Sequence, residues 1–364
     1  MKKRLLTIAA LTFVLTANAQ DNPLWMRYCA ISPDGQTIAF CYKGDIYTVP
    51  ANGGKATQLT TNAAHDTHPI WSPDSKKIAF ASNRQGSMDI YIIDKEGGTP
   101  QRLTTHSANE FPVTFKDAEH ILYLSSLMPD AADMTFPSGQ FPQVYEISTE
   151  GRPTLFSSLP MEDISFSKDG KSLLYHDRKG YEDAWRKHHT SSITRDIWMC
   201  QLNGNEKTYR KLTSFRGEDR TPIWSADGQS LYYLSESKGS FNVFKRNLDG
   251  SNEKQLTQHT KHPVRFLSAA SNGTLCYGYD GEIYTVKEGE KPHKVEISIV
   301  ADKNDKDLIR QVRTSGATEI AVSPSGKEVA FILHGDVFVT SVEYNTTKQI
   351  TNTPQQERDL DFSP

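Results

Sequence analysis

The sequence has little of the chemistry that marks most enzymes. Its 364 residues include four cysteines with no Cys-x-x-Cys pair, and they contain no Gly-x-Ser-x-Gly, His-Glu-x-x-His or phosphate-binding glycine motif. These absences argue against a nucleophile elbow, a zinc protease centre and a nucleotide site. We therefore expect no catalytic residue, no metal and no cofactor within the chain.

Charge of one sign and long hydrophobic runs are also missing. The 41 basic residues are balanced by 44 acidic ones, which gives a net charge of −3 and disfavours nucleic acid as a partner. After residue 19, no stretch approaches the ~20 apolar residues that a membrane span needs. The cysteines show no metal-ligand spacing, and we interpret all four as small buried hydrophobic residues. They are Cys29, Cys41, Cys200 and Cys276.

The first nineteen residues have the order of a secretory signal. Lys2, Lys3 and Arg4 precede an apolar stretch over residues 5–16, and Ala17-Asn18-Ala19 supplies small residues for cleavage. A membrane anchor is the alternative, but the apolar stretch is too short to span a bilayer. The pattern predicts export, with a periplasmic location and cleavage after Ala19.

A repeat of about 40 residues dominates the rest of the sequence, and helical periodicity is nearly absent. The spacing from Pro33 to Pro73 is 40 residues, and weaker copies continue through Tyr284. The first copy consists of Ser32-Pro33-Asp34-Gly35, Ile38-Ala39-Phe40, Asp45-Ile46-Tyr47, Gly53-Gly54 and Leu59-Thr60. Each copy supplies one turn motif and several short apolar strands, as a four-stranded propeller blade does.

The repeat therefore predicts an all-β fold, a six-bladed β-propeller of four-stranded blades. A β-sandwich is the competing all-β fold, but it does not predict so regular a repeat. Because aspartates recur in each unit, we interpret Asp34 as a turn residue and Asp89 as a strand-edge residue rather than as catalytic carboxylates. Blade one has its own first strand, near Trp25 to Ile31, and blade six has its own last strand, near Lys294 to Ser298. We therefore expect a ring without a swapped terminal strand and a seam that is held by side-chain packing.

The regular spacing of the repeat ends after the sixth copy. A charged segment follows Lys287, and the unit resumes at Ser323-Pro324-Ser325-Gly326. Four regions are expected: a signal peptide (1–19), the propeller (20–300), a linker (301–317) and the first blade of a second, truncated β-propeller (318–364). Since the sequence stops inside a repeat, we expect a longer protein.

These units resemble those of the tricorn proteases, in which a six-bladed propeller is followed directly by a seven-bladed one. They are similar also to the repeats of TolB, which has an α/β domain before its propeller. The tricorn resemblance implies a downstream serine peptidase domain that trims oligopeptides. It leaves this chain as the non-catalytic portion that binds or channels peptides or unfolded protein segments, with a homo-oligomer as an open alternative.

Two other functions are considered. A stand-alone periplasmic scaffold propeller, similar to TolB, is the alternative, although the tricorn resemblance fits the chain better. A prolyl-oligopeptidase-like enzyme has a single propeller, so the restart near Thr318 argues against it.

An insert in blade four is the sharpest local departure from the repeat. It runs from Arg178 to Arg195, where other blades have a short connection. Long loops on a rigid scaffold often carry binding residues. Its basic and aromatic side chains could hold a peptide end, although a solvated hairpin tip is the alternative. The candidate peptide-binding residues are Trp185, Arg186, Lys187, His188, His189 and Arg195.

One short segment has metal-capable side chains. His65-Asp66-Thr67-His68 is interpreted as a solvated loop between blades, since a metal site needs three or four convergent ligands.

The leader generates the first testable prediction. Intact-mass analysis of protein recovered from the periplasm is expected to show Gln20 at the N-terminus, because the basic, apolar and small-residue segments match a cleavable signal. Periplasmic protein that retains Met1 would contradict the prediction.

Overall fold

The computed structural model describes residues 23–126, 141–149, 151–181, 185–186, 190–204, 206–299, 312–344, 346–353 and 355–364. The chain divides into two compact units at residues 302 and 303, here called unit one and unit two. Every regular element in the described ranges is a β-strand. None of the described residues forms a helix that is long and apolar enough to cross a bilayer. The expected leader lies outside the described residues.

The described part of unit one contains six sheets, each of which pairs four consecutive strands in chain order. We call these sheets blades one to six. The strands of blades one to three are β1 (Arg27–Ile31), β2 (Thr37–Tyr42), β3 (Asp45–Pro50), β4 (Gly54–Gln58), β5 (Asp66–Trp71), β6 (Lys77–Gln85), β7 (Ser87–Asp94), β8 (Gln101–Arg102), β9 (Glu110–Phe115), β10 (His120–Ser125), β11 (Gln143–Ser148) and β12 (Thr154–Ser157).

The second half of unit one continues the same order. The strands of blades four to six are β13 (Met161–Phe166), β14 (Ser172–Asp177), β15 (Ile197–Asn203), β16 (Glu206–Lys211), β17 (Asp219–Trp224), β18 (Ser230–Ser235), β19 (Asn242–Asn247), β20 (Lys254–Gln255), β21 (Arg265–Ala269), β22 (Leu275–Tyr279), β23 (Glu282–Val286) and β24 (His293–Lys294). A short strand, β25 (Ile297–Ile299), follows blade six. The predicted all-β propeller of four-stranded blades is confirmed.

Unit two contains one four-stranded antiparallel sheet among its described residues. Its strands are β26 (Ala317–Val322), β27 (Glu328–Leu333), β28 (Asp336–Ser341) and β29 (Thr347–Gln349). Most of the predicted linker before this sheet lies outside the described residues.

The Ser-Pro-Asp-Gly motif forms the turn between the first two strands of a blade. In blade one, the Ser32 hydroxyl donates to Asp34 Oδ1 at 2.5 Å, and that oxygen also accepts the backbone N–H of Gln36 at 2.9 Å. The same Ser–Asp contact recurs as Ser72–Asp74, Ser167–Asp169 and Ser225–Asp227. The interpretation of Asp34 as a turn residue is confirmed, because its carboxylate is held by its own turn.

The Leu-Thr motif ties the fourth strand of a blade to the third. Thr60 Oγ1 accepts the backbone N–H of Ile46 at 2.9 Å, and Thr104 Oγ1 accepts that of Ile90 at 2.8 Å. The same bond recurs as Thr213–Ile197 and Thr257–Val243. Each bond satisfies a buried N–H at the start of the third strand, where no ladder partner is available.

The hydrophobic core of unit one is divided among the contacts between neighbouring blades. Each of its six clusters of buried residues combines side chains from two adjacent blades. One of them joins blade six to blade one and includes Cys29 and Cys276. The ring is therefore closed by the same packing that holds any two blades together. All four cysteines are buried and unpaired, as expected from the sequence.

The seam between the first and last blades differs from our expectation in one respect. β1 belongs to blade one, as predicted, but Ile297–Ile299 does not extend blade six. Instead, β25 pairs in parallel with β4, and the Gly54 N–H donates to the Glu296 carbonyl at 2.8 Å. The edge strand β4 has unpaired backbone groups that the returning chain can satisfy. The seam is thus held by backbone hydrogen bonds as well as by side-chain packing.

A pair of equivalent glycines tests this seam. Gly53 and Gly97 have φ of 93° and 98°, so alanine is strained at both positions. An added Cβ would lie 2.7 Å from the Glu296 carbonyl oxygen at Gly53, whereas at Gly97 its nearest neighbour would be Leu59 Cδ2 at 3.9 Å. We expect Gly53→Ala to lower the free energy of unfolding by at least about 1 kcal/mol more than Gly97→Ala, as measured by urea denaturation. Equal losses of unfolding free energy in the two variants would show that the backbone contacts at the seam do not stabilise the ring.

Candidate functional site

A cavity of about 1550 Å³ runs through the centre of unit one. The first strand of each of the six blades contributes to its wall, and we call this cavity the central channel. Ligand pockets commonly have volumes of about 300–1,000 Å³. The central channel is therefore large enough for a ligand of several residues.

A β-bulge in each of these first strands shapes the channel wall. In five of the six blades, the bulge contains one residue in the left-handed backbone region, with φ between 50° and 58°. These five residues, none of which is glycine, have a positive φ. They are Tyr28, His68, Asp163, Thr221 and Phe266. A bulge re-aims its side chain and bends its strand. Here all five residues line the central channel.

Aromatic rings cover the wall formed by blades three, two, one and six. The ring of His68 lies 5.1 Å from that of Phe111 and 3.9 Å from that of Tyr28. Tyr28 in turn lies 4.8 Å from Phe266, and Phe266 lies 5.9 Å from Trp185. We call these five residues the aromatic row. The row crosses four neighbouring blades and ends on the insert of blade four.

The insert of blade four reaches across the channel. Trp185 is 44% exposed, and the guanidinium groups of Arg27 and Arg265 each lie 5.0 Å from its ring centre. Arg265 also donates to the Trp185 carbonyl at 2.5 Å. Arg27 and Arg265 belong to blades one and six, so the insert contacts the opposite side of the ring. Trp185 is thus held against residues of other blades while part of its surface stays exposed.

The other predicted basic residues have different positions. Arg186 and Arg195 both contact the Glu218 carboxylate, at 2.9 and 2.8 Å. Arg195 is only 4% exposed, so the alternative of a solvated hairpin tip is wrong for this residue. Lys187, His188 and His189 lie outside the described residues. A role in peptide binding stays a prediction for all of these residues.

The buried Glu218 and the half-buried Glu162 organise the charged wall on blades four and five. Glu218 accepts from Arg195 and also contacts Arg220, while Glu162 contacts Arg178 at 3.0 Å. Glu162 also accepts from Arg195 Nε at 3.3 Å and contacts His176 Nε2 at 3.1 Å. Arg195 therefore bridges both carboxylates, and the charges of this wall compensate one another.

Burial and neighbouring charge set the ionisation of these groups. Burial alone would raise the pKa of Glu162, but the hydrogen bond from His176 and the charges of Arg195 and Arg178 outweigh it, so the pKa lies well below its usual value. The pKa of Glu218 is lowered in the same way, since Arg220 and Arg195 outweigh its burial. On the aromatic wall, burial lowers the pKa of His68 to about 4, so the ring is uncharged near neutral pH.

The interpretation of residues 65–68 as a solvated loop was wrong for residues 66–68, whereas His65 is exposed and precedes the strand. Asp66 begins β5, is buried, and pairs with Arg84 at 2.7 Å. His68 lies in the aromatic row and accepts or donates a hydrogen bond with Thr67 at 3.1 Å. The register of β5 against β6 shifts between Thr67 and Ile70, at the bulge that contains His68. Among the described residues, no group of three or more His, Cys, Asp or Glu side chains could hold a metal ion.

Sequence reasoning did not identify the inner-strand residues of the site. Tyr28, Phe266, Glu162 and Glu218 have no motif of their own. A signal was nevertheless present, because all four stand a few residues before a turn motif, at positions where the six copies of the repeat differ.

The fold and the site together define a closed β-propeller with a ligand-sized central channel. The chain belongs to the tricorn protease N-terminal beta propeller domain family, whose profile matches residues 23–292. It is 24% identical to tricorn protease homolog 1 of Streptomyces coelicolor over 282 residues, and 23% identical to the tricorn protease of Thermoplasma acidophilum over 333 residues. These matches cover 76% and 88% of this chain but only 25% and 29% of the relatives.

A solved structure supports the same fold. The crystal structure of the tricorn protease superposes with a TM-score of 0.71 at 18% identity, covering 92% of this chain and 32% of that one. The chain thus spans between a quarter and a third of the length of the tricorn proteins it matches. At this identity, the likeness shows the fold alone.

The buried Glu218 gives a prediction for stability. Glu218→Gln leaves three arginines without their shared anion, so we expect a loss of about 3–5 kcal/mol at pH 7, measured by urea denaturation. Because folding lowers the pKa of Glu218 from 4.5, its stabilising contribution is complete above that pH and is lost as the pH falls through the folded value. The variant should therefore lose less stability than the wild type between about pH 5 and pH 2.

Glu288 supplies the matched control. It is more exposed and pairs with Lys245 at 2.7 Å, so Glu288→Gln should cost no more than about 1 kcal/mol. The same loss in both variants would mean that the buried network contributes nothing beyond a surface pair.

Proposed function

We propose that this chain is the propeller portion of an exported tricorn-like serine peptidase, and that it binds oligopeptides in its central channel on their way to or from a downstream peptidase domain. The observation that carries the proposal is the channel itself. It has a volume of about 1550 Å³, and its wall combines apolar rings with buried ion pairs. Apolar surface with a few fixed polar groups is the usual composition of a ligand site.

The chemistry of the channel supports a peptide rather than a polyanion. Its charged wall contains carboxylates and guanidinium groups in mutual contact, so it offers no uniform positive field. The backbone of a peptide can donate to the carboxylates and accept from the arginines, while its side chains pack on the rings.

The location of binding can be measured directly. We expect a nine-residue peptide that carries a diazirine on a leucine side chain to cross-link mainly to the first strands of the blades, as mapped by mass spectrometry. An excess of unlabelled peptide should suppress these cross-links. Since the sequence has no nucleophile motif, the peptide should be recovered intact after incubation.

Two threonines provide matched variants for the same experiment. Thr114 lines the channel on β9, whereas Thr208 is exposed on β16, the outermost strand of blade four. Thr114→Trp should reduce both binding and cross-linking because the larger ring fills part of the channel. Thr208→Trp should change neither. Cross-links confined to outer strands, or equal binding by both variants, would refute the channel as the binding site.

A further inference from the structure

We infer that the aromatic row is a subsite that selects an aromatic side chain of the bound oligopeptide. This inference rests on the proposed function, since it concerns the same channel. It adds a preference among peptides and assigns that preference to Tyr28, His68, Phe111, Phe266 and Trp185.

The backbone under the row is the first argument. Tyr28, His68 and Phe266 have φ of 51°, 54° and 58°. A bulky residue in this region costs roughly 1–2 kcal/mol, and such strain persists mainly where a site requires it. Asparagine or glycine would occupy these positions without that cost. The same conformation occurs at Asp163 and Thr221, so the bulge is common to the blades, and what distinguishes this side of the channel is that aromatic rings occupy it.

The second argument is the continuity of the rings. Successive ring centres in the row are separated by 5.1, 3.9, 4.8 and 5.9 Å, within or near the range of favourable aromatic pairs. Each residue of the row also lines the channel. A further ring from a ligand would therefore meet several aromatic partners at once.

The arginines beside the row determine which kind of side chain it favours. Arg27 and Arg265 both lie over Trp185, so a lysine or arginine of the ligand would be repelled at that end of the row. Aromatic rings can pack edge-on or face-on against the row and against the guanidinium groups, which aliphatic side chains cannot do. The occupant that the row favours is thus phenylalanine, tyrosine or tryptophan.

Three dye-labelled nine-residue peptides test the inference, with phenylalanine, alanine or lysine at the central position of an otherwise identical sequence. Fluorescence anisotropy with the mature chain should show that the phenylalanine peptide binds roughly tenfold more tightly than either of the others. Phe266→Asn and Tyr28→Asn should abolish this preference, so that each variant binds the phenylalanine and alanine peptides with equal affinity. Asparagine tolerates the left-handed backbone, so the bulge is retained.

Tyr209→Asn is the control, because Tyr209 is 40% exposed on the outermost strand β16 and does not line the channel. It should keep the full preference. If an asparagine variant does not fold, Phe266→Leu offers the same test with an apolar side chain, and a reduced preference is expected. Thermal melting of each variant establishes that it is folded.

The outcomes separate this inference from the proposal on which it rests. Equal binding of all three peptides by the wild type, or an unchanged preference in the asparagine variants, would overturn the aromatic subsite while peptide binding stands. Failure of every peptide to bind would overturn the proposed function, and the subsite with it.

Discussion

The structure of unit one depends on the burial of blade faces against one another. A four-stranded sheet of this size has two apolar faces and cannot bury either by itself. Each of the six core clusters belongs to two blades, so no blade has a core of its own. The cluster between blades six and one is as essential as the others, and β25 adds backbone bonds at the same place. Closure of the ring is therefore a condition of its stability.

This constraint also fixes where a site can form. Side chains between the blades pack against one another, and the polar side chains of the turn motifs bond within their own turns. Among the described residues, the first strands of the blades line the central channel, which the packing between blades leaves open. The bulges turn one residue of most inner strands into that space, and at this position the blades differ most, from Tyr28 to Asp163 to Thr221. The repeated strands form the channel wall, and the residues at which the copies differ give the wall its aromatic and charged side chains.

The sequence predicted the scaffold well for a physical reason. Turns, strand pairs and blade contacts recur six times, so each motif such as Ser32-Pro33-Asp34-Gly35 is supported by its copies. The site is formed by residues that are far apart in the chain, for example Tyr28 beside Phe266 and Trp185 beside Arg27, and no local pattern reports such contacts. The insert is visible in the sequence because it interrupts the repeat, but the sequence does not show which of its charges are buried. Only the fold shows that Arg195 is buried between Glu162 and Glu218.

The charged wall and the aromatic wall of the channel differ in how they can interact with a ligand. Buried charges are tolerated on blades four and five because each arginine has a carboxylate within contact distance, and removal of one member would leave the others unpaired. Because the charges of this wall are paired with one another, the wall attracts a charged ligand only weakly. Its main effect on a ligand is to orient the ligand's polar groups. The aromatic wall instead presents half-buried rings to the channel, among them Tyr28, Phe111 and Phe266. Most of the binding free energy is therefore expected from the side of blades six, one, two and three, where contact with a ligand removes apolar surface from water.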